Sequence, residues 1–153
     1  MRTCLIVSSF CLVAALVAAD PQSTQTKLPQ GIARQLEHWG CSVNAALRGE
    51  FAKRGQTDWA VLVDKDRMKT ILVFWDGSEL NHAELGNTFD GDGVNLAMRK
   101  IRSVRPKYII RNYHAEPGAA LPRIEHDGIE DLFPSPVVHY YNQGRWLELV
   151  KRD

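Results

Sequence analysis

The sequence has no excess of charge of either sign. Its 153 residues include 19 Lys and Arg against 18 Asp and Glu, which gives a formal net charge of +1. Nucleic acids and anionic membranes attract strongly basic surfaces, so this composition argues against either as a partner. A chain of this length suits one compact domain with a modest core.

The sequence also lacks an apolar run long enough to cross a membrane. Its longest run, residues 5–17, follows Arg2 and ends in small residues before the polar Asp20. A membrane-spanning helix needs about 18 to 20 apolar residues, whereas this shorter pattern is typical of a secretory signal peptide. We predict cleavage after Ala19, giving a secreted or periplasmic protein without membrane insertion.

Cysteine is scarce as well. Of the three cysteines, only Cys41 lies beyond residues 1–19, so the mature chain has no intrachain disulfide despite its oxidising destination. Cys41 is interpreted as a small buried residue, because free cysteine is among the most buried residue types. A nucleophile or an intermolecular bridge is the alternative. The remaining chain divides into a polar linker, residues 20–28, and a single domain, residues 29–153.

Hydrophobic spacing predicts an α+β fold, with an antiparallel sheet of about four to six strands and two helices packed on it. Apolar residues recur with helical spacing over residues 29–40. Residues 58–75 predict a hairpin that is apolar on both faces and therefore lies in the middle of a sheet. Residues 137–150 flank a Gly-containing turn and predict a second hairpin.

The middle of the chain has weaker patterns. Val94, Ala97, Ile101 and Val104 have helical spacing, and Pro106 follows them as a helix terminator. The other assignments are a loop at 81–93, a strand at 107–113, a Pro/Gly loop at 115–122 and a helical turn at 129–133.

Residues 49–62, GEFAKRGQTDWAVL, resemble one unit of the FG-GAP or VCBS type. In that family Gly-Asp-Phe leads into a loop whose oxygens hold calcium, a cation that prefers about six to eight oxygen ligands. When the acidic residues at the two ends are aligned, Ala52 and Arg54 fall at the intermediate ligand positions. We therefore interpret the stretch as a tight turn, with Gly55 providing flexibility, that brings Asp58 to the start of a buried strand.

The same stretch, taken with IEHDGIED at 124–131 and HYYNQGRWLEL at 139–149, resembles small uncharacterised bacterial proteins that have a signal peptide and one domain. This resemblance implies no function and no catalytic residues. Residues 89–95, FDGDGVN, resemble the opening of a calcium loop, but Val94 stands where a ligand is required. Asp92 or Gly93 is interpreted as a helix N-cap.

The densest group of metal-ligating side chains surrounds a His-Asp-Gly turn. His114, His126 and Asp127 could form a zinc or iron site, although neither HExxH nor HxH is present. The simpler interpretation is a turn in which Asp127 accepts backbone hydrogen bonds. No G-x-S-x-G frame surrounds any serine. The sequence thus predicts no catalytic residue and no cofactor.

Aromatic residues supply the other candidate contacts. Tyr140 and Tyr141 are adjacent on a predicted strand, so their side chains point to opposite faces. An exposed Tyr beside His139 and Trp146 suits a protein or sugar contact, although an ordinary strand surface fits equally. The candidate binding residues are His126, Asp127, His139, Tyr140 and Tyr141.

Two functional hypotheses follow. The first is an exported non-enzymatic domain that binds a protein or a cell-envelope component. The second is a small metal-dependent hydrolase that uses His114, His126 and Asp127.

Overall fold

The computed structural model describes residues 27–89 and 96–152, which form two antiparallel sheets and two α-helices. The elements, in order, are α1 (Gln30–His38), β1 (Ser42–Gly49), β2 (Asp58–Lys65), β3 (Met68–Phe74), β4 (His82–Phe89), β5 (Ile101–Val104), α2 (Pro106–Asn112), β6 (Tyr113–His114), β7 (Gly128–Asp131), β8 (Val137–Asn142) and β9 (Arg145–Lys151). Short 3₁₀ turns occur at Trp75–Gly77 and Leu96–Met98. The predicted α+β class is confirmed, with the strands divided between two sheets.

The first sheet has the strand order β1-β2-β3-β4. Its centre is the hairpin of β2 and β3, as predicted, and every residue of β2 from Asp58 to Val63 is buried. The turn between these strands contains Asp66 and Arg67, both with positive φ. The central position explains why the hairpin is apolar on both faces.

The second sheet has the order β5-β7-β8-β9-β6. The C-terminal hairpin of β8 and β9 is also confirmed. His139 pairs with Glu148 and Tyr141 pairs with Trp146. Opposed residues of an antiparallel pair lie on the same face, and so do residues two apart along a strand. These four side chains therefore share one face.

Three hydrophobic clusters lie between four layers, which are α1, the first sheet, the second sheet, and α2 with the segment up to Ile124. One cluster fills the space between the sheets and includes Phe51, Leu62, Ile71 and Ile129. A second joins α1, through Ile32 and Leu36, to the outer face of the first sheet. A third covers the outer face of the second sheet with α2 and the segment up to Ile124. The central part of each sheet is thus covered on both faces, and the shared inner cluster makes the two sheets one domain.

Several predictions for the middle of the chain are wrong. Residues 82–89 form β4 rather than a loop, and residues 90–93 of that prediction lie outside the described residues. The FDGDGVN motif is outside them too, except for Phe89. Ile129 lies in β7 rather than in a helical turn.

The predictions on the two sides of Pro106 are wrong: a strand precedes it where a helix was predicted, and a helix begins at it where a strand was predicted. Residues 101–104 form β5, and Pro106 begins α2. Ile101 packs between the sheets, whereas Val104 packs in the cluster beside α2. A strand that is buried on both faces can therefore present apolar residues three apart, as a helix does. Proline suits the first position of a helix, because its fixed φ is helical and its missing N–H is not needed there.

Within residues 27–89 and 96–152, no helix has the length and apolar character needed to span a membrane.

Candidate functional site

A cleft of about 510 Å³ opens between the two sheets at one edge of the molecule. Its walls are Glu84, Leu85 and Gly86 of β4, residues 145–149 of β9, and part of the loop at residues 115–122. We call this the β4–β9 cleft. It brings together the edge strand of the first sheet and a strand of the second, which are far apart in sequence.

His139 lies at the inner end of the β4–β9 cleft, with a side chain only 4% exposed. Its Nδ1 atom is 3.7 Å from Oε1 of Glu148. Its Nε2 atom is buried and has no hydrogen-bond partner among the described residues. Burial of the ring lowers the pKa of His139 below its usual value, so the imidazole is uncharged at neutral pH.

Trp146 provides the second buried polar atom of the cleft that lacks a partner. Its Nε1 atom makes no hydrogen bond within the described part of the chain. The indole ring stacks on Trp75 at a centroid distance of 5.4 Å and meets Tyr141 edge-on at 5.3 Å. Buried polar groups in proteins are nearly always hydrogen-bonded. Both residues line one cleft, but the two atoms are covered by protein, so a bound molecule would complete their bonding only after displacing part of that cover.

Gly86 is required beside His139. Its φ is +57°, in the left-handed region that favours glycine. A Cβ atom at this position would lie 2.8 Å from Nη2 of Arg99 and 3.7 Å from Nε2 of His139. A side chain here would therefore press on Arg99 and fill the space in front of the imidazole.

Carboxylates outnumber cations in the wall of the cleft. Glu116 and Glu148 contribute two carboxylates, and Arg145 contributes one guanidinium. Glu84 pairs with Leu72 and therefore directs its side chain to the α1 side of the first sheet. The charged groups of the wall therefore favour a neutral or positively charged ligand.

Of the predicted binding residues, the structure places His139 in the cleft and Tyr141 beside it, in contact with Trp146. Tyr140 points the other way and is buried. Its hydroxyl accepts a hydrogen bond from the backbone N–H of Glu125 and donates one to the carbonyl of Arg123. Tyr140 thus holds the 115–125 segment against the second sheet.

His126 and Asp127 lie away from the cleft. The His126 ring stacks on Tyr140, and both ring nitrogens lie 2.9 Å from backbone carbonyls, those of Asp127 and Tyr141. Asp127 is 5% exposed, and its Oδ2 atom receives a long hydrogen bond, 3.4 Å, from the N–H of Glu50. These contacts join the HDG turn to neighbouring segments of the chain.

His114 has its Nδ1 atom 2.6 Å from the carbonyl of Ala115. Among the residues that the structure describes, no three His, Cys, Asp or Glu side chains are placed to hold a metal ion. The structure therefore does not bring His114, His126 and Asp127 together as a ligand set. Cys41 is half-buried rather than fully buried, and burial raises the pKa of its thiol.

The loop that resembles a calcium-binding unit is organised around Asp58, which is fully buried. One carboxylate oxygen accepts the backbone N–H groups of Phe51 and Ala52, both at 2.8 Å. The other accepts Nε2 of Gln56 at 2.7 Å and the N–H of Asp76 at 2.9 Å. N–H groups fill the positions around the carboxylate where a cation would have to bind.

Gly86, Glu148 and the N–H of Trp146, which is unpaired among the described residues, are functional features that the sequence did not predict. The alternation of β9 placed Trp146 and Glu148 on one face, which was the available signal. The sequence predicts a loop where β4 lies, so it gave no reason to expect this face of β9 to lie opposite a strand.

Comparison of the chain with protein-family models, with curated proteins and with solved structures finds no match.

Proposed function

We propose that the protein is an exported, non-enzymatic module that binds an extended segment of a partner protein in the β4–β9 cleft. The observation that carries this proposal is the pair of buried atoms without hydrogen-bond partners among the described residues, Nε2 of His139 and Nε1 of Trp146.

The two atoms have complementary hydrogen-bonding roles. An indole Nε1–H can only donate. A neutral imidazole carries its proton on one ring nitrogen and accepts with the other. When the proton is on Nδ1, 3.7 Å from the carboxylate of Glu148, Nε2 is the acceptor. A peptide group offers one carbonyl acceptor and one N–H donor. A segment of polypeptide backbone therefore supplies both groups that the cleft requires.

The size and the walls of the cleft support binding rather than catalysis. Its volume of about 510 Å³ lies within the range of ordinary ligand sites. Its described lining residues include no Ser, Thr, Cys or Lys side chain that would act as a nucleophile. The two carboxylates of Glu116 and Glu148, against the single guanidinium of Arg145, favour a basic side chain on the bound segment.

Export is supported by the N-terminal sequence, and it predicts the mature end of the protein. Protein recovered from outside the cytoplasm is expected to begin at Asp20, because small residues precede the cleavage point. Intact mass and N-terminal sequencing measure this directly. Exported protein that retains residues 1–19 would contradict the proposal of a cleaved signal.

Binding in the cleft is tested with a minimal peptide probe, N-acetyl-lysine N-methylamide. We expect it to shift the Trp146 indole N–H resonance saturably, with a Kd on the order of 1 mM for so small a ligand. The Trp146→Phe variant identifies the resonance, because it removes the N–H while keeping an aromatic ring.

The matched control probe is N-acetyl-glutamate N-methylamide, which carries the same two amides and the opposite charge. It is expected to bind at least about fivefold more weakly, because carboxylates outnumber guanidinium groups in the wall. If neither probe moves the indole resonance at concentrations of tens of millimolar, the proposed peptide site is wrong.

A further inference from the structure

Basic residues are concentrated in one part of the chain. Residues 99–111, RKIRSVRPKYIIR, contain six of the 19 Lys and Arg and no Asp or Glu. The formal net charge of +1 averages over the whole chain and does not describe this segment. A local excess of one sign attracts opposite charges even when the molecule is nearly neutral. The overall composition therefore does not exclude an anionic partner for this segment.

The fold places most of these charges on the outer side of the second sheet, which is covered by α2 and the segment up to Ile124. Ile101 packs between the sheets, so Arg102 points outward. Leu149 packs on the outer side, so Lys151, two residues further along β9, points outward as well. We call this side of the molecule the basic face. Its exposed basic side chains are Arg102, Arg105, Lys107, Arg111, Arg123 and Lys151.

Carboxylates balance only half of the charges on the basic face. Lys107, Arg111 and Lys151 form no ion pair with any residue that the structure describes. The other three basic side chains each face one carboxylate, and two of these carboxylates are buried. The pairs are Arg102 with Glu130, Arg105 with Asp127, and Arg123 with Glu125. The basic face therefore presents an excess of positive charge to the solvent.

The exposed side of α2 combines this charge with an apolar side chain. Lys107, Ile110 and Arg111 are three and four residues apart, so they lie on one side of the helix. All three are exposed, and Ile110 is 48% exposed. Ile109 is fully buried and holds the opposite side of α2 against the second sheet. A large apolar residue flanked by cations on an exposed helix is typical of helices that lie at a membrane surface.

We propose that the basic face docks the protein on the surface of an anionic phospholipid membrane, with Lys107, Arg111 and Lys151 against the headgroups and Ile110 at the edge of the acyl region. A bilayer supplies both a layer of phosphates and an apolar region beneath it. A soluble polyanion supplies only the charge. Surface docking requires no helix that crosses the membrane.

Docking through the basic face leaves the β4–β9 cleft accessible. The cleft lies on the inner side of the second sheet, where His139 and Glu148 are located, and the basic face lies on the outer side. A docked molecule thus directs the cleft away from the lipid. The inference does not depend on the peptide binding proposed above, because different residues carry it.

Vesicle co-sedimentation of the exported protein tests the proposal. We expect the protein to bind vesicles of phosphatidylcholine that contain about 40 mol% phosphatidylglycerol, and not vesicles of phosphatidylcholine alone. Raising the salt concentration from about 50 mM to about 500 mM should release most of the protein, because salt screens the attraction between exposed charges. Absence of binding to the anionic vesicles at low salt would overturn the proposal.

The double variant Lys107→Gln/Arg111→Gln is expected to lower the vesicle partition coefficient at least about tenfold, because each basic side chain near an anionic surface contributes roughly fivefold. Arg34→Gln/Lys65→Gln is the matched control. It removes the same charge from two exposed residues, on α1 and at the end of β2. Its partition coefficient should stay within about twofold of the wild type. Equal losses for the two double variants would show that net charge alone causes binding, and the basic face would not be the docking surface.

Ile110→Ser separates a membrane from a soluble polyanion. We expect this variant to bind the anionic vesicles at least about threefold more weakly, because it loses apolar contact with the acyl region. Its binding to inorganic polyphosphate should equal that of the wild type. If Ile110→Ser changes neither interaction, and polyphosphate binds more tightly than vesicles at the same phosphate concentration, the basic face serves a soluble polyanion and membrane docking is overturned.

Discussion

Replacing Asp131 with alanine is expected to lower the free energy of unfolding by about 3–5 kcal/mol. Asp131 and Arg99 form an ion pair at 2.7 Å with side chains only 4% and 1% exposed. Arg99 also donates to the carbonyl of Lys69 in the first sheet, so the pair connects the two sheets. Removing the carboxylate takes away the charged partner that the buried guanidinium contacts at 2.7 Å. Chemical denaturation measures the loss.

The matched control is Glu125→Ala. Glu125 pairs with Arg123 at 2.8 Å, nearly the same distance, but the two side chains are 55% and 88% exposed. Water screens such a pair, so its loss should cost less than about 1 kcal/mol. The double variant Arg99→Met/Asp131→Leu should recover part of the stability, because it removes both buried charges. Equal losses for Asp131→Ala and Glu125→Ala would contradict the assignment of Asp131 as a buried structural partner.

Replacing Asp58 with alanine is expected to cost about 4 kcal/mol. The buried Asp58 carboxylate accepts three backbone N–H groups and one side-chain amide. A buried donor that loses its acceptor costs about 1–3 kcal/mol, and part of this is recovered where water reaches the loop. Asp58→Asn should cost about half as much, because one amide oxygen can still accept two of these bonds.

Asp64→Ala, on the same strand, is the control for Asp58. Asp64 is 47% exposed, and its partner Lys69, which is 5% exposed, keeps a hydrogen bond to Oδ1 of Asn44, so the loss should be about 1–2 kcal/mol, half that of Asp58→Ala or less. Thermal and urea unfolding of Asp58→Ala, Asp58→Asn and Asp64→Ala measure how much stability each variant loses. If Asp58→Ala unfolds no more readily than Asp64→Ala, Asp58 does not hold the loop between β1 and β2.

The Asp58 loop explains why a calcium-like sequence pattern occurs here. A carboxylate at the start of a buried strand must have its oxygens satisfied. In this chain backbone N–H groups satisfy them, so Ala52 and Arg54 stand where a calcium loop would need oxygen donors. An acidic residue before an apolar strand is thus compatible with a structural role as well as with metal binding.

The candidate site was predicted in part. His139 was selected as a binding residue, and the structure places it in the cleft. Tyr140 and Tyr141 were expected on opposite faces, and the register of β8 gives this arrangement. The sequence did not predict which of the two tyrosines lies on the cleft side. Alternation assigns them to opposite faces of the strand but does not say which layer covers each face.

The sequence by itself determined the elements whose residues are constrained locally. Helix α1 and the two hairpins follow from apolar spacing and turn residues, because these features act within a few positions along the chain. The turn at Gly55 and the role of Asp58 at the start of β2 follow from the same short-range reasoning.

Four features depend on the tertiary structure and could not be predicted from the sequence. They are the strands β4 and β5, the position of Arg99, and the β4–β9 cleft. Ile101 and Val104 are apolar because different layers cover the two faces of β5, and that coverage comes from segments distant in sequence. His139 lies beside Gly86 of β4 only because two sheets pack together, and Gly86 leaves room for the imidazole between them. Contacts of this kind depend on packing between layers, and no local pattern of residues records them.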